Sequence, residues 1–67
     1  MYQATYRNGT DGYLVTIVRP SWASVVEAVD SPCRPVNIVS GGTDKMGRQW
    51  FIARDSRGRS VAKIIKL

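Results

Sequence analysis

Hydrophobic and polar residues alternate along most of this chain, and one segment departs from alternation to a helical spacing. The alternation over Tyr2–Arg7 and Tyr13–Val18 predicts two strands, because successive side chains of a strand point to opposite faces. The segment 8–12 between them (NGTDG) is rich in turn residues and predicts a hairpin loop. Pro20 ends the second strand, since proline removes a donor from the ladder.

The segment Trp22–Val29 predicts the single helix. Its apolar residues fall at i, i+3, i+4 and i+7 and form one stripe: Trp22, Val25, Val26 and Val29. Ser21 stands at the position of an N-cap, and Ser31-Pro32 is expected to end the helix. Because valine is a poor helix former, packing on a sheet must stabilise this helix.

Three further strands are predicted, over Val36–Ser40, Arg48–Arg54 and Ser60–Leu67. The seven residues Gly41–Gly47 predict a flexible connection, and Asp55–Gly58 predicts a tight turn with its glycine in the left-handed region. We find no internal repeat and no linker. The order β-β-α-β-β-β predicts one α+β domain over residues 1–67, a mostly antiparallel sheet of about five strands with one helix on one face.

The turn of the last hairpin sets the register of its two strands, and the register assigns each residue to one side of the sheet. If Asp55 pairs with Arg59, one face carries Trp50, Ile52, Ala62 and Ile64, with Arg48 and Lys66 at its far end. The other face carries Gln49, Phe51, Ala53, Val61, Lys63 and Ile65. We expect the face with Trp50 to pack under the helix, which leaves Phe51, Gln49 and Lys63 toward solvent. A slip of one residue exchanges the two faces.

The composition of the chain argues against disulfide bonds and Cys/His metal sites. The chain has one cysteine, Cys33, and no histidine, so no disulfide can form within it and a Cys/His zinc site is not expected. We expect Cys33 to be an ordinary loop or core residue in a reducing compartment, and the chain to be cytoplasmic. The N-terminus lacks the pattern of a signal peptide, and no apolar run is long enough to cross a membrane.

An enzymatic function is not expected. Without histidine the usual general base near neutral pH is missing, and Cys33 has no histidine to activate it. The carboxylates are scattered over predicted loops and the outer side of the helix, with no pair suggested. No cofactor and no metal ion are predicted.

Positive charge is concentrated in the last third of the chain. Residues 45–67 contain seven basic residues and one acidic residue, whereas residues 1–44 contain three basic and four acidic residues. These counts give net charges of +6 and −1, and such a field attracts and orients a polyanion. The predicted binding residues are Lys45, Arg48, Gln49, Phe51, Arg54, Arg57, Arg59, Lys63 and Lys66.

Three interpretations of this basic hairpin are open. Phe51, Val61 and Ile65 can form half of a small second core, with the cations as a solvated rim that protects edge strands from aggregation. Alternatively, Phe51 beside Lys63 and Gln49 can stack a base while the arginines contact phosphates. A protein–protein surface is the third interpretation, because arginine and aromatic residues are also enriched there.

The layout of the whole chain resembles the small anti-CRISPR proteins of phages and mobile elements. The strand-then-helix passage YLVTIVRPSWASVVEAV (13–29) and the hairpin QWFIARDSRGRSVAKI (49–64) are similar in arrangement to a basic-surfaced group that inhibits type I effector complexes. The resemblance covers most of the chain, in the order and length of its elements, and assigns no residue a role. It implies binding to the effector's protein backbone, its guide RNA or the incoming DNA, rather than DNA mimicry.

The sequence therefore favours a non-enzymatic inhibitor that binds a CRISPR effector or other nucleoprotein complex through the basic hairpin, in the cytoplasm of a host cell. The alternative is a small basic module that binds RNA or DNA phosphates directly. A third hypothesis is an assembly protein that docks through an edge strand. A monomer or weak dimer and no membrane partner are expected in each case.

Overall fold

A computed structural model describes residues 1–7, 12–30 and 35–67. The elements in chain order are β1 (Tyr2–Arg7), β2 (Leu14–Arg19), α1 (Trp22–Val29), β3 (Asn37–Thr43), β4 (Gln49–Arg54) and β5 (Ser60–Lys66). The predicted α+β class and the β-β-α-β-β-β order are therefore confirmed. Most of the predicted 8–12 loop, the Ser31-Pro32 helix stop and Cys33 lie outside the described residues.

The strands form one sheet in the order β2-β1-β5-β4-β3. All four neighbouring pairs are antiparallel, so the chain's first strand lies beside its last strand at the centre of the sheet. The helix α1 packs on one side of the sheet, against β1 and β2. No element in the described part of the chain covers the opposite side.

The core lies between α1 and the sheet and is small. Its buried residues are Ala4, Val25, Val29, Ala53, Ala62 and Ile64. Three of these six are alanines, which lets the valine stripe of the helix approach the sheet closely. Val25 and Ile64 are its largest fully buried side chains, so apolar side chains at the rim must supply much of the remaining burial.

The helix begins as its sequence predicts. Ser21 is the N-cap, and its hydroxyl accepts a hydrogen bond from the backbone N–H of Ser24 at 3.2 Å. Ser24 returns the bond by accepting from the N–H of Ser21 at 3.3 Å, which completes a capping box. Asp30 is the C-cap, and its carboxylate accepts from the N–H of Val36 at 3.1 Å. This last bond ties the helix end to the segment that leads into β3.

The connection between β3 and β4 differs from its prediction. The strand β3 continues through Gly41 and Gly42 to Thr43, and a tight turn over 44–48 follows. The expected flexible segment of seven residues is therefore wrong. The register passes from the pair Ser40–Phe51 to the pair Gly42–Trp50, so Gly41 is an extra residue on β3. The bulge allows the glycine-rich end of β3 to stay hydrogen-bonded to β4.

The faces of the last hairpin also differ from their prediction, because this hairpin contains a bulge as well. Arg54 pairs with Ser60, which is the register that a pairing of Asp55 with Arg59 implies. Ala53, however, pairs with Ala62, which makes Val61 an extra residue on β5. This bulge shifts the register by one residue, so the face assignment is correct for β5 and wrong for β4. Phe51 therefore lies on the helix side with Ala53, and Trp50 lies on the opposite side.

Candidate functional site

The side of the sheet opposite α1 forms a continuous surface, here called the open face. It can be described as two rows across the strand order β2-β1-β5-β4-β3. One row is Thr16, Thr5, Lys63, Ile52 and Val39, and the other is Val18, Gln3, Ile65, Trp50 and Gly42. The open face is thus mostly apolar or uncharged, with one lysine near its middle.

Trp50 is the largest side chain on the open face, and its neighbours on both sides hold it there. A β-carbon built on Gly41 would lie 2.3, 2.4 and 2.6 Å from three adjacent atoms of the Trp50 six-membered ring. Because the three distances are nearly equal, the β-carbon would lie over the face of the ring and not beyond its edge. The indole therefore lies on the backbone of β3, and only glycine at position 41 permits this contact.

From the other neighbouring strand, Lys63 reaches over the same ring. Its Nζ lies 4.8 Å from the ring centroid of Trp50, within the range of a cation–π contact. At a solvent-exposed site such a contact contributes about 0.5–1 kcal/mol. The ammonium is thus positioned by the ring but weakly enough to exchange partners.

Two arginines flank the open face at the end where β4 meets β5. Arg54 follows Ile52 on the same side of β4, and its Nη1 donates to the carbonyl oxygen of Gly58 at 3.3 Å. Arg7 ends β1, and its Nη1 donates to the carbonyl oxygen of Gly12 at 2.7 Å. Arg7 and Lys63 also line one surface depression of about 220 Å³. Three cations therefore lie on the same side of the sheet, each on a different strand.

Acidic side chains in the described part of the chain lie elsewhere. Glu27 and Asp30 belong to the helix and its C-cap, while Asp44 and Asp55 bond within turns. The three cations of the open face therefore have no carboxylate beside them on that face among the described residues. Among the described residues, the charged side chains of this face are therefore all positive, and a bound anion can neutralise them.

The two turns at the ends of β4 have the same construction and the same sequence pattern, Asp-x-x-Gly-Arg. In the first, the carboxylate of Asp44 accepts from the N–H groups of Met46 and Arg48, both at 2.9 Å. In the second, Asp55 accepts from Arg57 at 2.9 Å and Arg59 at 3.0 Å. The two turns therefore share a short sequence motif and one hydrogen-bonding pattern.

Each turn also closes through its glycine and its arginine. Gly47 and Gly58 have φ angles of 80° and 81°, in the left-handed region that favours glycine. The guanidinium of Arg48 lies 3.3 Å from the Asp44 carboxylate, and that of Arg59 lies 3.6 Å from Asp55. In both pairs the arginine is exposed and the aspartate is partly buried, so the pairs contribute little to stability and leave the guanidinium groups accessible.

Hydrogen bonding shifts the titration of both turn carboxylates. The backbone N–H of Arg48 is the largest cause that lowers the pKa of Asp44 below its usual value of 3.8. The backbone N–H of Arg59 lowers the pKa of Asp55 in the same way. Both turns are therefore most stable with their carboxylates ionised.

The predicted binding residues do not form one surface. Arg54, Arg57 and Arg59 lie at the β4–β5 turn, and Lys63 lies near the middle of the open face. At the opposite end of β4, Arg48, Gln49 and Lys66 line a depression of about 420 Å³, and Lys45 lies in the adjoining turn. A strand of six residues is about 20 Å long, so two separate basic ends result.

Phe51 does not belong to either basic end. Its ring packs edge-to-face on Trp22 with centroids 4.7 Å apart, and Trp22 packs on Tyr2 at 5.4 Å. These three aromatic rings close the core beside the first turn of α1. The prediction that Phe51 faces solvent is therefore wrong, and the aromatic residue on the open face is Trp50, whose side chain is partly buried there.

Sequence reasoning missed two residues of this surface, Trp50 and Arg7. The sequence pattern predicts Trp50 in the core because the bulge at Val61 has no clear signal in the hairpin sequence. Arg7 is distant along the chain and joins Lys63 only because β1 pairs with β5. The repeated Asp-x-x-Gly-Arg pattern is visible in the sequence and predicts two similar turns, which would have replaced the flexible connection.

The described residues contain neither a candidate metal site nor a membrane-spanning helix. No group of three or more His, Cys, Asp or Glu side chains in the described ranges is arranged to hold a metal ion. Within the same ranges, no helix has the length and apolar character needed to cross a membrane.

Comparison with known proteins adds no relative. No protein-family model, no curated protein and no solved structure matches this chain.

Proposed function

We propose that this chain is a non-enzymatic inhibitor of the anti-CRISPR kind, which binds a CRISPR effector or other nucleoprotein complex and perturbs its nucleic-acid binding. The binding surface is the open face together with the β4–β5 turn. One observation carries the proposal: Arg7, Arg54 and Lys63 share a side of the sheet that is uncovered by any described element.

The charge of the open face indicates the class of partner. Cations without neighbouring carboxylates attract a polyanion and speed its encounter with the protein. Arg57 and Arg59 extend this positive charge at the hairpin tip, where Asp55 holds the backbone in a fixed turn. A nucleoprotein complex offers phosphates beside protein surface, which suits a face that is both cationic and apolar.

The test is association of the purified chain with type I and type II effector complexes, followed by target-DNA binding by those complexes. The expected result is a stoichiometric complex with at least one of them and weaker target binding in its presence. Arg54→Glu combined with Arg57→Glu is expected to weaken association while the circular dichroism spectrum stays unchanged. Absence of association with any of these complexes would contradict the proposal.

Direct binding to RNA or DNA is the second candidate function. The absence of carboxylates from the open face among the described residues favours it, because phosphates are the sequence-independent targets of such cations. It predicts affinity for free nucleic acid whose logarithm falls steeply with the logarithm of salt concentration. A salt-independent affinity, or no binding at low salt, would remove this candidate.

A further inference from the structure

We infer that the ring of Trp50 is a stacking surface for an unpaired nucleic-acid base, with Lys63 and Arg54 beside it to contact phosphates. The inference rests on the proposed function and deepens it, since it names single-stranded nucleic acid as the component that the open face contacts.

The first support is how the ring is held. One face of the six-membered ring lies on the backbone of Gly41, where a side chain would collide with it. The ring is therefore laid across the sheet, and its other face points away from β3. Sequence-tolerant recognition of single strands uses aromatic rings presented in this way, because every base has a π-face.

The second support is the cation over the ring. The Nζ of Lys63 lies 4.8 Å from the centroid of Trp50, so it occupies space that a stacked base would take. A phosphate next to that base offers the ammonium a stronger, oppositely charged partner. Lys63 can thus leave the ring and bind the backbone of the same nucleotide chain. Arg54 lies diagonally across from Lys63 on β4, roughly 7–8 Å away along the ladder, and extends this cationic path.

The third support is that two other partners, a second copy of this chain and an acidic peptide, fit the open face less well. Two copies of this chain placed face to face would bring Lys63, Arg54 and Arg7 of each copy against one another without a described carboxylate between them. An acidic peptide would neutralise these cations and leave the flat face of Trp50 without a matching group. A single nucleic-acid strand satisfies both features, since it supplies phosphates and planar bases together.

Tryptophan fluorescence tests the inference directly. The chain has two tryptophans, so Trp22→Phe leaves Trp50 as the only one. This variant is titrated with an oligodeoxythymidine of about 12 nucleotides, a length within the usual site sizes for single strands. A duplex of the same length serves as the matched control. We expect the single strand to quench Trp50 emission and to bind more tightly than the duplex.

Substitutions then separate stacking from charge. Trp50→Leu is expected to weaken single-strand binding roughly five- to 100-fold, whereas Trp50→Phe keeps an aromatic face and loses less. Lys63→Gln is expected to weaken binding and to reduce the salt dependence by about one phosphate contact. If Trp50→Leu does not fold, the quenching of the folded Trp22→Phe variant and the affinity of Trp50→Phe still decide the question.

The inference is overturned if the Trp22→Phe variant shows no quenching, or if Trp50→Leu binds the oligonucleotide as tightly as the parent chain. It is also overturned if the parent chain binds no single strand at low salt. In each of these cases, association with an effector complex measured separately shows whether the proposed function survives. Loss of that association alone would contradict the proposed function and leave the fluorescence result intact.

Discussion

Asp44 and Asp55 make the same set of hydrogen bonds at opposite ends of β4. Each carboxylate accepts from the backbone N–H groups two and four residues ahead, and each backbone carbonyl accepts from the glycine three residues ahead. The two hairpins that frame β4 therefore depend on ionised aspartate at both ends.

This dependence predicts a loss of stability in acid. Because the pKa of each aspartate is lower in the folded chain than its usual value of 3.8, both contribute stability above that value. The contribution is lost as the pH falls through the lowered pKa values. We expect the thermal midpoint to fall as the pH is lowered from about 5 through the lowered pKa values of the two aspartates.

Asn substitution checks the source of that acid sensitivity. The double variant Asp44→Asn, Asp55→Asn keeps one side-chain oxygen as an acceptor at each position and removes the titrating group. Its thermal midpoint should therefore vary less with pH. Glu27→Gln, on the exposed side of α1, is the matched control and should retain the parent's pH dependence. A double variant with the full acid sensitivity of the parent would contradict this account.

A second prediction concerns the contact between Gly41 and Trp50. Gly41→Ala places a methyl group where ring atoms already lie at 2.3–2.6 Å, so the indole must move. In the Trp22→Phe background we expect a shifted Trp50 emission maximum and a lower thermal midpoint. Ser40→Ala, at an exposed neighbouring position of β3, should change neither.

A double-mutant cycle makes this prediction specific. Once Trp50→Leu has removed the ring, Gly41→Ala should cost much less stability than it does in the parent chain. Equal costs in the two backgrounds would show that the alanine acts through the backbone and not through the ring.

A third prediction tests which face of β4 is buried. Phe51→Ala removes a ring that packs on Trp22 at the edge of the core, and we expect a loss of about 2–3 kcal/mol in the free energy of unfolding. Ile52→Ala, on the open face, should lose only about 1 kcal/mol because its side chain does not pack against the core under α1. Denaturant unfolding followed by circular dichroism measures both, and a larger loss at Ile52 would reverse the assigned faces.

A fourth prediction separates the two basic ends of the sheet. Arg54→Glu with Arg57→Glu changes the β4–β5 end, and Lys45→Glu with Lys66→Glu makes the same change in net charge at the other end. We expect the first pair to weaken binding to the effector complex or to nucleic acid far more than the second. Equal effects would mean that overall charge, and not the open face, governs binding.

The sequence predicted the elements of this fold well because their signals are local. The apolar stripe of α1, the N-cap Ser21 and the turn at Asp55 all act within a few residues, and each is confirmed. The residues of β1 and α1 match their predicted bounds, and the other strands differ at their ends.

The candidate site was harder to predict because it depends on register. One extra residue, Val61, moves Phe51 to the core and Trp50 to the open face. A second extra residue, Gly41, provides the place where the indole lies. Neither bulge is marked by residue type alone, since valine is common in strands and glycine is equally expected in a loop. Arg7 joined the site only through pairing between the first and last strands.

The repeated turn also separates residues that fix geometry from residues that are free to vary. Aspartate and glycine maintain each turn. The two middle positions, Lys45 and Met46 in one turn and Ser56 and Arg57 in the other, project into solvent. Substitution at these middle positions can change what each end of the molecule recognises at little cost to folding. Both tips can therefore diverge independently under selection, so a change of partner would require new side chains and no new backbone.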